Sequence, residues 1–128
     1  MLPEQSKVIA AVCDVVVLDD EPLIRDLCIQ VLSDAGFIVL GAGTAGDALS
    51  VLAEPGARLL LADKLLAGCE DGYVLAQEAM RRWPGLRVVY TSGHPQGLRD
   101  VCSGPHERIL PKPFRASELV GVVRELIG

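Results

Sequence analysis

Two apolar patterns alternate along the chain. Val15-Val16-Val17-Leu18 and Leu59-Leu60-Leu61-Ala62 are short runs without alternation. Such runs suit strands buried on both faces, as in a parallel sheet covered by helices. Each runs straight into acid, Asp19-Asp20-Glu21 after the first and Asp63 after the second. Shorter runs predict three more strands, over Phe37 to Leu40, Leu86 to Tyr90 and Arg108 to Leu110. The first strand is expected over Asp14 to Leu18 and the third over Arg58 to Ala62.

Between the strands the spacing is helical. Leu23, Ile24, Leu27, Cys28, Val31 and Leu32 share one face, with Arg25, Asp26, Gln30 and Ser33 on the other. Pro22 suits the first helical position and Gly36 the stop. Thr44 is placed to cap a helix through about Ala53, with Asp47 in its first turn. Pro55-Gly56 ends it. Residues 64–72 read as a loop with Gly68 and Gly72 as turn points. Tyr73 to Trp83 follows as a helix carrying Val74, Leu75, Ala79 and Met80 on one side, broken by Pro84-Gly85. Pro95 to Cys102 is a short, weakly patterned helix ended by Gly104-Pro105. The last helix starts near Ser117 and carries Leu119, Val120, Val123, Leu126 and Ile127. The fold class is therefore α/β: a three-layer, doubly wound, five-stranded parallel sheet, (βα)5, joined by right-handed crossovers.

Aromatics are only 4% of the chain, so the core must be built from Leu, Val, Ile and Ala. A net charge of −5 with no Lys/Arg-rich run argues against a nucleic-acid surface. No stretch reaches the ~18 apolar residues of a membrane span. The first residues, with one lysine and little apolar length, show no secretory signal. Cys13, Cys28, Cys69 and Cys102 are scattered, with no C-x-x-C pair. They read as free thiols in a reducing cytosol rather than as a zinc site or disulfide frame.

The special polar residues all fall at C-terminal strand ends: Asp19 and Asp20, Asp63, Ser92 and Lys112. Open α/β sheets keep their ligand crevice there. Carboxylates crowded together repel, by about 4 kcal/mol for a pair at ~4 Å and an effective dielectric near 20. A hard divalent cation removes that cost, and Mg²⁺ takes oxygen ligands while keeping several waters. Asp19, Asp20 and Asp63 suit it, with a backbone carbonyl of the following loop. A hydroxyl and an ammonium facing this cluster suggest a held anion, as in phosphoryl transfer. An Asp carboxylate can itself be the nucleophile, and Asp63 is the best placed.

These motifs resemble the response-regulator receiver domains of two-component signalling. The matching stretches are Val17-Leu18-Asp19-Asp20-Glu21, Leu61-Ala62-Asp63 with Gly68 and Asp71-Gly72 downstream, Val89-Tyr90-Thr91-Ser92-Gly93 and Leu110-Pro111-Lys112-Pro113-Phe114. The wording of the last two is most similar to receivers attached to hybrid sensor kinases. The resemblance spans residues 14–128 and implies a flavodoxin-like receiver fold. Residues 1–13 are set apart as a leader or as part of a longer protein. The resemblance further implies that Asp63 accepts phosphate from a histidine kinase or histidine phosphotransfer protein in the cytoplasm. Asp19, Asp20, Asp63 and the backbone carbonyl of Leu65 would hold Mg²⁺. Ser92 and Lys112 would bind phosphoryl oxygens, Gly93 would leave room, and the Lys112-Pro113 bond would be cis. Output would pass to an effector or a dimer partner through the face of the fourth helix, fifth strand and fifth helix. Such a protein assists its own phosphotransfer and slow dephosphorylation, and is not an enzyme with a separate product.

Three positions depart from the family pattern. Ile109 stands where an inward-swinging aromatic is usual, Ala67 where proline is common, and Lys64 where an apolar residue is common. Ile109 keeps open a pseudo-receiver, a docking module with a weakened switch. A flavodoxin-like cofactor binder would need a Gly/Ser/Thr phosphate loop in place of Asp19-Asp20-Glu21. An aspartate-nucleophile phosphatase would need a D-x-D motif after the first strand. Neither is present.

Overall fold

A computed structural model describes residues 13–64, 72–93 and 104–128. The elements are β1 (Cys13–Leu18), α1 (Pro22–Asp34), β2 (Val39–Ala42), α2 (Ala45–Ala53), β3 (Ala57–Asp63), α3 (Gly72–Arg82), β4 (Arg87–Ser92), β5 (Glu107–Pro111) and α4 (Ala116–Ile127). All five strands are parallel, in the order β2-β1-β3-β4-β5. The expected helix at Pro95 to Cys102 lies outside the described residues, as do Cys69, Cys102, the loop turn at Gly68 and nearly all of the expected leader. No helix among the described residues is long and apolar enough to cross a membrane.

The unbroken apolar runs are explained by burial on both sides of the sheet. Val16, Leu18, Leu60, Ala62, Val88 and Tyr90 point to the face covered by α2 and α3. Val15, Val17, Leu59, Leu61 and Val89 point to the face covered by α1 and α4. Fully burying each such Val or Leu stabilises the fold by about 1.5–3 kcal/mol.

Local chemistry sets the helix ends. Thr44 Oγ accepts from the amide of Asp47 at 3.1 Å. The Glu118 carboxylate accepts from the Arg115 amide at 2.7 Å, satisfying a donor at the start of α4. Gly36 takes φ +102° just beyond α1, a conformation that disfavours a side chain.

Three expectations change. β2 begins two residues later than the pattern suggested, because Phe37 is used to close α1: its amide donates to the Leu32 carbonyl at 3.1 Å. Leu23 and Leu27 lie on the exposed flank of α1, at 83% and 59% exposure; its buried residues are Cys28 and Leu32. Val74 is likewise exposed, and α3 buries Leu75, Ala76 and Ala79 against the sheet. Trp83 packs against the core at the end of α3, as expected of a helix-end residue.

Candidate functional site

Strand register brings the expected residues together. Leu18 pairs with Ala62, so the chain following β1 runs beside the end of β3. Asp63 pairs with Thr91, and Ser92 pairs with Pro111. The ladder continues past the strands: the Lys112 amide donates to the Ser92 carbonyl at 2.8 Å and the Lys64 amide to the Thr91 carbonyl at 3.0 Å. β5 thus delivers Lys112 to the site. Its Nζ lies 3.3 Å from Oδ2 of Asp63, and the Asp63 side chain is only 12% exposed. The Lys112-Pro113 peptide is cis, as expected from the family, and so is Glu54-Pro55.

Carboxylate oxygens of Asp19, Asp20 and Asp63 all lie within 4.8 Å of one another. Asp19 is almost fully buried. Each of its polar groups is engaged: its amide donates to the Ala42 carbonyl at 3.1 Å, Oδ1 accepts from the Glu21 amide at 2.9 Å, and its carbonyl accepts from Arg25 Nη1 at 2.9 Å. Burial pushes the Asp19 carboxyl above the usual carboxylate range. The Glu21 amide opposes this, while the negative charge of Asp63 adds to it. Oxygens in an octahedral shell at 2.0–2.1 Å from Mg²⁺ are about 3–4 Å apart, so these carboxylates need only a small contraction to share one hard cation. The donor set is all oxygen and acidic, which fits such an ion, and Lys112 stands beside it. Leu65, whose carbonyl was expected to complete the set, lies outside the described residues.

Ser92 and Thr91 are buried at the end of β4. Gly93 is exposed, and a Cβ built on it would meet nothing within 4 Å, so open space lies beside the site at that point. Cys28 sits near Asp19 and Lys112; burial, with the Asp19 charge, pushes its thiol up to about 11. It is therefore a protonated core residue at neutral pH, not a nucleophile. A groove of about 500 Å³ lined by Ile24, Leu27, Cys28, Pro113 and Phe114 opens next to Lys112.

Two residues matter to this geometry in ways the pattern did not reveal. Gly72, expected only as a turn point, opens α3 against the backbone of β3. Its amide donates to the Lys64 carbonyl at 2.8 Å, and a Cβ there would overlap the Asp63 carbonyl oxygen. Arg25, expected on the solvent face of α1, is half-buried and turned toward Asp19.

The profile of the response regulator receiver domain family matches residues 15–124. The chain is a response regulator receiver domain. The receiver is 34% identical over 121 residues to the nitrogen assimilation regulatory protein NtrX of Azorhizobium caulinodans, covering 89% of this chain and 26% of that protein. It is 31% identical over 115 residues to the sensor protein TorS of Escherichia coli strain K12, covering 87% of this chain and 12% of TorS. Relatives of both kinds, regulators and sensor proteins, therefore carry it, and it spans about a quarter or less of their lengths. The crystal structure of the receiver domain of NtrX from Brucella abortus superposes with a TM-score of 0.80 at 34% identity, covering 89% of this chain and 98% of that one. The flavodoxin-like receiver fold and a place in two-component signalling follow. Nothing in the site favours the pseudo-receiver alternative, since the acidic cluster and the lysine meet at one point.

Proposed function

We propose that Asp63 accepts a phosphoryl group from a phosphohistidine on a histidine kinase or histidine phosphotransfer protein. One observation carries this reading: Asp63 shares a carboxylate cluster with Asp19 and Asp20 and lies 3.3 Å from the ammonium of Lys112. An Asp63 carboxylate oxygen attacks phosphorus, the P–N bond to the donor imidazole breaks, and its electron pair returns to the ring nitrogen. Lys112 leaves its pairing with Asp63 to hold a phosphoryl oxygen, and the Ser92 hydroxyl donates to another. Asp19, Asp20, Asp63 and the Leu65 carbonyl would hold Mg²⁺, which would supply positive charge for the carboxylates and the incoming oxygens. The groove beside Lys112 and the exposed Leu27 give a donor protein an apolar footing next to Asp63.

The receiver acts as a substrate that assists its own transfer and its own slow hydrolysis. Phosphorylation biases a two-state equilibrium of the Ser92 and Lys112 segments. An effector or a dimer partner reads it at the face of β5 and α4, in the cytoplasm. Ile109, paired with Tyr90 across β4 and β5, cannot serve as a rotating aromatic, so the shift is carried by those segments themselves.

The test is acetyl phosphate with Mg²⁺ on wild type and Asp63→Asn, read by intact mass. The expected result is a gain of one phosphoryl group on wild type, lost on removal of Mg²⁺ and missing in the variant. Labelling retained by Asp63→Asn would move the acceptor elsewhere.

A further inference from the structure

Arg25 crosses from α1 to the end of β2 and closes on the main chain of Asp19. Its Nη1 donates to the Asp19 carbonyl at 2.9 Å. Two glycines make room for the side chain. A Cβ on Gly41 would stand 3.3 Å from Arg25 Cδ, and one on Gly43 would stand 2.9 Å from Arg25 Nη1. The guanidinium thus lies in a trough formed by residues without side chains, at the junction of β1, α1 and the turn after β2.

The bond it makes has a particular consequence. The Asp19 carbonyl belongs to the planar peptide unit that joins Asp19 to Asp20. Rotation of that plane changes the direction of one carboxylate relative to the other. The Asp19 amide is held by β2 and Oδ1 by the Glu21 amide, while Arg25 holds the carbonyl of the 19–20 peptide.

We propose that Arg25 is a positioning residue for the cation site: by anchoring the 19–20 peptide it keeps both carboxylates aimed at the pocket they share with Asp63. This rests on the reading of that cluster as a Mg²⁺ site. A guanidinium is required, because its planar fork can hold one orientation while resting on the glycine floor. A lysine ammonium retains the charge but not that geometry.

Mg²⁺ is titrated into wild type, Arg25→Ala, Arg25→Lys, Gly43→Ala, the Arg25→Ala/Gly43→Ala double variant and Gly46→Ala, following backbone amide shifts by NMR. The Gly46 variant is a control, since a Cβ there meets nothing within 4 Å. Acetyl phosphate labelling is measured at limiting and at saturating Mg²⁺. Arg25→Ala, Arg25→Lys and Gly43→Ala each weaken Mg²⁺ binding about ten-fold, the scale seen when a partner behind a metal ligand is lost. The double variant is no weaker than Arg25→Ala, because both changes break one contact. Labelling falls at limiting Mg²⁺ and recovers at saturation.

A merely structural contact would lower the melting midpoint in EDTA and leave the Mg²⁺ affinity unchanged; that result overturns the proposal. So does additivity in the double variant. Should Arg25→Ala not fold, Gly43→Ala still decides, because it keeps Arg25 and displaces only the end of a flexible side chain. If wild type takes no Mg²⁺-dependent label on Asp63, the reading of the site fails instead, whatever the variants do.

Discussion

Substituting Gly72 by alanine tests how the tip of β3 is held. Gly72 is the first residue of α3, and its amide bonds the Lys64 carbonyl at 2.8 Å. An added methyl overlaps the Asp63 carbonyl oxygen and stands 2.9 Å from the Asp63 carbonyl carbon and 3.2 Å from Lys64 Cα. All three atoms are backbone, so none can rotate aside. Overpacking a well-filled site costs about 1–3 kcal/mol, and a backbone-on-backbone clash belongs at the upper end. Alanine regains about 0.5–1 kcal/mol of helix preference, leaving a net loss of about 2 kcal/mol. For a domain of this size that lowers the melting midpoint by about 8 °C. Moving the start of α3 off β3 also displaces the Asp63 carbonyl, and misplacement by ~1 Å can slow a positioned reaction about 100-fold. Circular dichroism melts and acetyl phosphate labelling report the two effects. Gly46→Ala in α2, with open space around it, should melt at or above wild type. A Gly72→Ala midpoint equal to or above that of wild type would refute the close approach, and with it the claim that α3 braces the acceptor strand.

Two further outcomes follow from the same geometry. Because burial raises the Asp19 pKa, folding favours its protonated form. That stabilisation is present below the ordinary carboxylate value and is lost as pH rises through the raised one. Asp19→Asn can still accept from the Glu21 amide without the buried charge. In EDTA at pH 7 it should therefore melt higher than wild type, and Mg²⁺ should raise the midpoint of wild type alone; a variant that melts lower in EDTA contradicts the sign. The fully buried Tyr90 donates to Glu107 at 2.9 Å and accepts from Gln77 at 3.0 Å. Tyr90→Phe loses the hydroxyl while Gln77 keeps its 3.0 Å bond to Glu107, so the expected cost is about 1 kcal/mol, read as a fall of a few degrees in thermal melts. No change would mean that water replaces the phenol at no cost.

What the sequence made legible was whatever depends on the period of the chain. Runs such as Leu59 to Ala62 are buried on both faces and have no other good use, and each carboxylate at a strand end inherits its place from the strand. The site followed because parallel strands in register put residues 19, 63 and 112 side by side. Contacts set by neighbouring elements were not legible. Leu23 and Leu27 satisfy the helical stripe of α1, but they lie on its flank, beyond the sheet. Arg25 reads as a solvated charge until the glycines at 41 and 43 are known to lie beside it. The Gln77, Tyr90 and Glu107 network joins three separate elements, and no local pattern announces it. Gly72 reads as a flexible turn, whereas its bareness serves a close approach.

β3 is flanked by β1 on one side and β4 on the other. Its amides should thus be among the last in the domain to exchange with deuterated solvent. A mark written at the tip of the central strand cannot be read as movement of that strand. Its consequences have to surface in the neighbouring segments that carry Ser92 and Lys112.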